Sequence, residues 1–198
     1  QMANLKEIRT RITSVASTMQ ITSAMKMVSA AKLKRAQDAI TQMRPYAEKL
    51  REILVNISST LEGSAEGVYS QEREVNKVLI VAIASNRGLC GAFNANIFKA
   101  AEKRIKEYAE KEVQVYAIGK RSADYFTGKH TVFNSNAEIF NDLNYEHVAV
   151  MAEEVMEAFV AGKFDKVEII YNEFKNAATQ EVVTQQLIPF ISKCVNLC

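Results

Sequence analysis

Two glycines three residues apart, Gly88 and Gly91, follow the apolar run VLIVAIA at 78–84 and precede a helical pattern. A strand, a glycine-bearing turn and a helix together make the arrangement in which backbone N–H groups hold phosphate. The residue types do not complete that chemistry. A P-loop needs glycines five apart followed by Lys and Ser or Thr, whereas Gly91 is followed by Ala92 and Phe93. The dinucleotide fingerprint needs three glycines, and an acid after the second strand to hold a ribose. Here only two glycines can be placed, and the second strand ends in GKRS. Gly88 and Gly91 are therefore read as shaping a structural turn. Arg87, Lys120 and Arg121 remain as cations that could hold a phosphate. An α/β enzyme binding a nucleotide or phosphorylated ligand there is the alternative reading of the chain.

Other reactive sets are no more complete. Cys90 has neither His130 nor His147 placed beside it by sequence logic, so a thiol nucleophile is not expected. Cys194 and Cys198 lack a histidine at ligand spacing, and no metal site is expected. Glu153 and Glu154 adjoin on an amphipathic helical pattern and read as solvated surface. No catalytic residue and no cofactor is assigned. Three cysteines with no secretory signal before them favour a reducing compartment. Gln1 stands before Met2, read as the natural start, and no Arg-rich presequence follows it.

The elements that must position these residues fall into two parts. Reading from Leu5 in alternating steps of three and four gives Leu5, Ile8, Ile12, Val15, Met19, Thr22, Lys26, Ser29, Leu33, Ala36, Ile40, Met43, Ala47, Leu50, Leu54, Ile57 and Leu61. Fourteen of these seventeen positions are apolar and the register never slips, which predicts a coiled-coil helix over 1–61 about 85 Å long. Pro45 is expected to kink it slightly. Thr22, Lys26 and Ser29 interrupt the seam, and around them the apolar residues shift to Ile21, Met25, Met27 and Val28. This is either a local stutter in the packing or a stretch that meets a different partner. The other helical patterns run roughly 10–18 residues. None is long enough to cover the seam, so its partner is another chain, a second copy, or a segment outside these 198 residues.

Net charge is only +2, yet residues 1–51 carry ten Lys or Arg against Glu7, Asp38 and Glu48. The helix is therefore expected to meet something acidic. No nucleic-acid recognition motif accompanies it, and an acidic protein partner accounts for the charge, so nucleic acid is not expected. No apolar run reaches the roughly 18–20 residues of a membrane span, so contact with a membrane is expected only through partners.

Residues 62–77, with two glycines and many polar side chains, read as a linker. Strands are predicted at 78–84, 113–118, 131–134, 167–174 and 182–188. Helices are predicted at 95–111, 120–127 and 146–161, with Gly162 as the last one's terminator. This alternation predicts a doubly wound, mostly parallel sheet over 78–198 with helices on both faces. The last two strands are close enough to pair antiparallel.

Three segments carry a resemblance. The start MANLKEIRTRITSVASTMQITSAMKMVSAAKLKRAQ resembles the gamma subunit of F-type ATP synthase, bacterial type. SNRGLCGAFN is similar to that family's S-D-R-G-L-C-G segment, with Asn86 where aspartate is usual, and VEIIYNEFKNAATQEVVTQQLIP is similar to a later family stretch. The resemblance implies a non-catalytic central-stalk rotor subunit with a Rossmann-like domain at the foot of the shaft. It also implies alpha and beta subunits, epsilon and the c-ring as partners. The location implied is peripheral, on the cytoplasmic face of the bacterial inner membrane. Met25, Lys26, Lys32, Lys34 and Arg35 fall in the stretch expected to meet acidic beta-subunit loops. The chain ends where the family continues into a C-terminal helix that pairs with the first one. A chain without that helix is expected to self-associate through its seam or to leave the long helix partly disordered.

Overall fold

The computed structural model describes residues 4–61, 67–176 and 178–190, and excludes the side chains at 54, 55 and 57–61. Gln1, Met2, Cys194, Cys198 and residues 62–66 of the expected linker therefore lie outside the described residues. The chain divides into two compact units, Gln1–Ile57 and Ser58–Cys198.

One α-helix, α1, spans Leu5–Leu61 with Pro45 inside it, and its residues up to Ile57 make up the described part of the first unit beyond Asn4. It starts where the apolar seam starts. The Asn4 side chain accepts the N–H of Lys6 at 3.2 Å, satisfying one of the donors a helix start leaves open. Its threonines turn inward on the helix itself. Thr10, Thr13, Thr18, Thr22 and Thr41 each donate to the carbonyl four residues back. Thr22 therefore keeps its hydroxyl bonded within the helix although it occupies a seam position.

The second unit is a five-stranded sheet with helices on both faces. Its elements are β1 (Lys77–Ile83), α2 (Phe93–Glu107), β2 (Glu112–Ile118), α3 (Lys120–Phe126), β3 (Val132–Asn136), a 3-10 turn (Ile139–Asn141), α4 (Tyr145–Val160), β4 (Lys166–Phe174) and β5 (Gln180–Ile188). The strand order is β3-β2-β1-β4-β5. All pairings are parallel except β4 with β5, which is antiparallel. The mixed α/β class, the five strands and the antiparallel final pair agree with the sequence reading.

Strand β1 is central, and its near-continuous apolar run follows from burial on both sides. Successive side chains point to opposite faces. Val78, Ile80 and Ala82 accordingly pack with Ile97 and Ala101 of α2 and with Phe126 of α3. Leu79 and Val81 face Val155, Ala158 and Phe159 of α4. Each helix supplies residues three or four apart to one cluster, which is why the 3.6-residue period was readable.

Helix ends departed more from expectation than strands. α2 begins at Phe93 and stops at Glu107, four residues short of the predicted end. Tyr108 leaves helical geometry, with φ −102° and ψ 29°, and its hydroxyl is drawn to the sheet by Glu168. At the end of α4, Gly162 takes φ +71° and hydrogen-bonds back to Phe159, while Lys163 reaches Ala158, closing the last turn.

From residue 67 on, the expected linker is fastened to the domain. Arg73 donates to the Phe159 carbonyl at 3.1 Å and lies over the Phe159 ring. The N–H groups of Asn76 and Lys77 share the Asp165 carboxylate at 3.0 and 2.9 Å. Tyr69 accepts the Phe190 N–H at 2.7 Å.

Candidate partner surface and the braced loop

Every seam side chain described as a large hydrophobic is exposed on α1: Leu5, Ile8, Ile12, Val15, Met19, Leu33, Ile40, Met43 and Leu50. Leu54, Ile57 and Leu61 have side chains outside the described set. Where the seam is interrupted, Ile21, Met25, Met27 and Val28 are exposed as well, so the helix offers apolar side chains on more than one face there. Lys26, Lys32, Lys34 and Arg35 are exposed too, and none makes a hydrogen bond or ion pair among the described residues. Exposed cations thus flank exposed apolar side chains along this stretch of the helix.

The loop between β1 and α2 is braced by its own side chains. Asn94, buried at the start of α2, accepts from the Ser85 N–H at 3.0 Å and has its Oδ1 equally close to the Ser85 hydroxyl. The Asn94 amide donates to the Arg87 carbonyl and to Cys90 Sγ, both at 3.3 Å. Asn86 accepts the backbone N–H of Lys120 at 2.9 Å, and Ser85 accepts that of Arg121 at 3.1 Å. The loop therefore caps the start of α3 from outside. The backbone donors of Ser85, Lys120 and Arg121 are thereby taken by the protein's own oxygens.

Arg87, Lys120 and Arg121 do gather at the same end of the sheet, beyond the C-terminal ends of β1 and β2. Arg121 lies over Gly88, where an added Cβ would sit 2.5 Å from its Nη2, and the Lys120 ammonium is 3.6 Å from Asp124. Among the described residues no group of His, Cys, Asp and Glu could hold a metal ion. The one free cysteine described, Cys90, is exposed.

The turn glycines differ in what they do. Gly91 sits at φ +59°, whereas Gly88 is not left-handed and serves by making room for the guanidinium. Leu89, between them, also has φ +59° and a fully exposed side chain. The tightest glycine belongs to no motif in the sequence. Gly119, after β2, has φ +89°, and a Cβ there would lie 2.1 Å from the Ala84 carbonyl oxygen. Its only signal was a glycine closing an apolar strand.

Among the described residues of the domain one acid is buried, and it is held in a network. Glu168 of β4, 1% exposed, receives Arg104 Nε at 2.7 Å and Nη2 at 2.6 Å, the Tyr108 hydroxyl at 2.8 Å and Lys166 Nζ at 3.1 Å. Burial alone would raise its pKa, but the hydrogen bonds from Arg104, Tyr108 and Lys166 outweigh that and hold it below the usual carboxylate range. Burial also raises Tyr116, whose hydroxyl donates to Glu154 at 3.0 Å. This network pins α2 to the sheet.

Fold and surface together define an α/β domain joined in one chain to a long helix with an uncovered apolar seam. The chain belongs to the ATP synthase gamma-chain family. The ATP synthase family model matches residues 4–196. The ATP synthase gamma chain of Flavobacterium johnsoniae is 62% identical over 188 residues, covering 95% of this chain and 66% of the relative. That of a Geobacter species is 44% identical over 194 residues, covering 97% and 67%. The chain thus spans about two thirds of the length of these relatives. Among solved structures, the central stalk and c-ring of Tetrahymena thermophila mitochondrial ATP synthase is similar with a TM-score of 0.65 at 25% identity, covering 85% of this chain and 72% of that one. The rotor of the Euglena gracilis mitochondrial enzyme shares the fold, with a TM-score of 0.62 at 21% identity over 92% and 62% of the two chains.

Proposed function

We propose that this chain is the central-stalk rotor part of a proton-translocating ATP synthase and performs no chemistry itself. It couples rotation of a membrane ring to conformational change in the catalytic subunits. The observation that carries this is the seam of α1, exposed at every large apolar position described from Leu5 to Leu50. A helix of 57 residues with that face bare is half of a coiled coil. Residues 1–61 act as one strand of the shaft, residues 62–77 as its connection, and 78–198 as the Rossmann-like foot.

Met25, Lys26, Lys32, Lys34 and Arg35 meet acidic loops of a surrounding ring of alpha and beta subunits. Association there is steered by charge. Epsilon and the c-ring engage the foot, which places the chain peripherally at the cytoplasmic face of a bacterial inner membrane. Among the described residues no helix is long and apolar enough to cross a membrane.

The test is a chimera in which this chain replaces the corresponding two thirds of the Flavobacterium johnsoniae gamma chain, assembled with that organism's alpha and beta subunits. The chimera is expected to co-purify with them and to sustain ATP hydrolysis that drives rotation. Failure of the chimera to assemble, where the intact relative does, would sink the rotor reading. Calorimetry with ATP, NADP and inorganic phosphate addresses the enzyme alternative, which sub-millimolar binding would revive.

A further inference from the structure

A second surface lies within the α/β domain alone, between α2 and α3. It is an open groove of about 690 Å³ bounded by Ala95, Phe98, Lys99, Lys106 and Tyr125. With Glu102, Lys103 and Glu107, which also line it, the α2 residues recur three and four apart, so the groove follows one stripe of that helix for about 18 Å at 1.5 Å per residue. Its floor is aromatic. Phe98 and Tyr125 stack with ring centroids 4.1 Å apart and planes 8° from parallel.

The charges around this floor are lopsided. The two acids on the stripe are already engaged. Glu102 Oε1 lies 2.9 Å from His130 Nε2 and accepts from the Tyr125 hydroxyl at 3.3 Å. Glu107 takes the Arg104 guanidinium and lies 3.9 Å from Lys103. Lys99 and Lys106, by contrast, are exposed and make no hydrogen bond or ion pair among the described residues. Lys129 adds a third cation, its ammonium 3.6 Å from the centre of the Tyr125 ring. Lys106 also acts on Glu102 through its field, so what remains is a net excess: Lys99, Lys103, Lys106 and Lys129 against Glu102 and Glu107 leave two positive charges.

We propose that this groove docks an acidic, amphipathic segment of another protein, with an apolar side chain on Phe98 and Tyr125 and carboxylates facing Lys99 and Lys106. An enclosed cavity would favour a small ligand, but this trough is open and follows a helix over several turns, as helix-in-groove recognition requires. Aromatic rings at the centre with cations at the rim are the composition of a protein contact site. A bilayer would be met by a convex basic face, not by a concave aromatic floor. The inference is independent of the rotor reading, since α1 takes no part in it.

The test uses the whole 198-residue chain and two fluorescein-labelled 15-residue peptides. One is an alanine-based helix with leucines at i and i+4 flanked by glutamates; the other has lysines in place of the glutamates. By fluorescence anisotropy the acidic peptide is expected to bind, with amide shifts at Ala95, Lys99 and Tyr125, and the basic one not. K99E/K106E, two exposed positions, is expected to weaken binding at least tenfold with an unchanged circular dichroism spectrum. K32E/K34E on α1 serves as the control, because that helix is also basic, and is expected to change binding less than twofold. Binding that survives K99E/K106E, or that is lost in K32E/K34E, overturns the proposal. So does the case in which anionic phosphatidylglycerol vesicles bind through Lys99 and Lys106 while the acidic peptide does not.

Discussion

Arg104 on α2 and Glu168 on β4 face each other as a two-point pair, with Nε–Oε2 at 2.7 Å and Nη2–Oε1 at 2.6 Å. The carboxylate is sealed while the guanidinium stays partly solvated, so the two partners do not respond equally to loss of the other. Removing the acid leaves Arg104 with Glu107 and water. Removing Arg104 leaves a buried carboxylate with Lys166 and Tyr108.

Glu168→Gln is therefore expected to cost about 2–3 kcal/mol, in the range of buried hydrogen bonds to charged groups. Arg104→Met is expected to cost more, about 3–5 kcal/mol, because the charge left behind is the buried one. Urea unfolding of both variants checks the order; equal costs would mean that Glu168 is better solvated than its burial implies.

The same pair sets a pH dependence. The folded-state pKa of Glu168 lies below its unfolded value, so its stabilisation is fully present above the unfolded pKa, near 4.5. It is lost as pH falls through the folded pKa. Urea midpoints followed down from pH 6 are expected to fall with acidification in the native chain. In Glu168→Gln the acid-dependent loss should be smaller, since the lowered carboxyl is gone.

Asn86 offers a mild gain. Its Oδ1 accepts the Lys120 N–H at the start of α3, where the helix dipole favours negative charge. Asn86→Asp should stabilise the domain by about 0.3–1 kcal/mol, and Asn86→Ala should destabilise it by about 1 kcal/mol. Thermal melts at low and high salt separate the two contributions, because only the aspartate's gain is screened.

Gly119 should tolerate nothing larger. A Cβ there meets the Ala84 carbonyl oxygen at 2.1 Å, and the backbone is already left-handed. Gly119→Ala is expected to cost more than about 3 kcal/mol or prevent folding, since backbone atoms cannot yield as a side-chain tip can. Gly88→Ala, by contrast, displaces only the end of Arg121, so a cost under about 1 kcal/mol is expected. Parallel expression and melting of the two variants decides the matter.

Charges placed on the seam should separate assembly from folding. Ile12→Asp with Val15→Asp alters two exposed side chains, so the melting of the α/β domain should be unchanged. Entry of the chimera into an alpha–beta complex should fall at least tenfold, by about 1.4 kcal/mol or more. Co-purification at native yield would show that this part of the seam is not buried by a partner.

Much is legible in the sequence alone, and for a common reason. The 57-residue helix, the five strands and the two helix faces around β1 follow from spacing along the chain. Periods of 3.5, 3.6 and 2 are properties of the backbone, and every residue in an element repeats the signal. The exposed seam followed as well, because no later pattern was long enough to cover it.

Only the tertiary structure decided which isolated residues matter. Glu168 is one of two acids in β4, and nothing near it in sequence announces Arg104, 64 residues away. Asn86 reaches Lys120 across 34 residues, and Gly119 is constrained by Ala84. The lysine-rimmed groove exists because two helices meet beside a stacked pair. Periodic burial is written many times over in a sequence, whereas a single contact between distant residues is written once, and only the packed fold reads it.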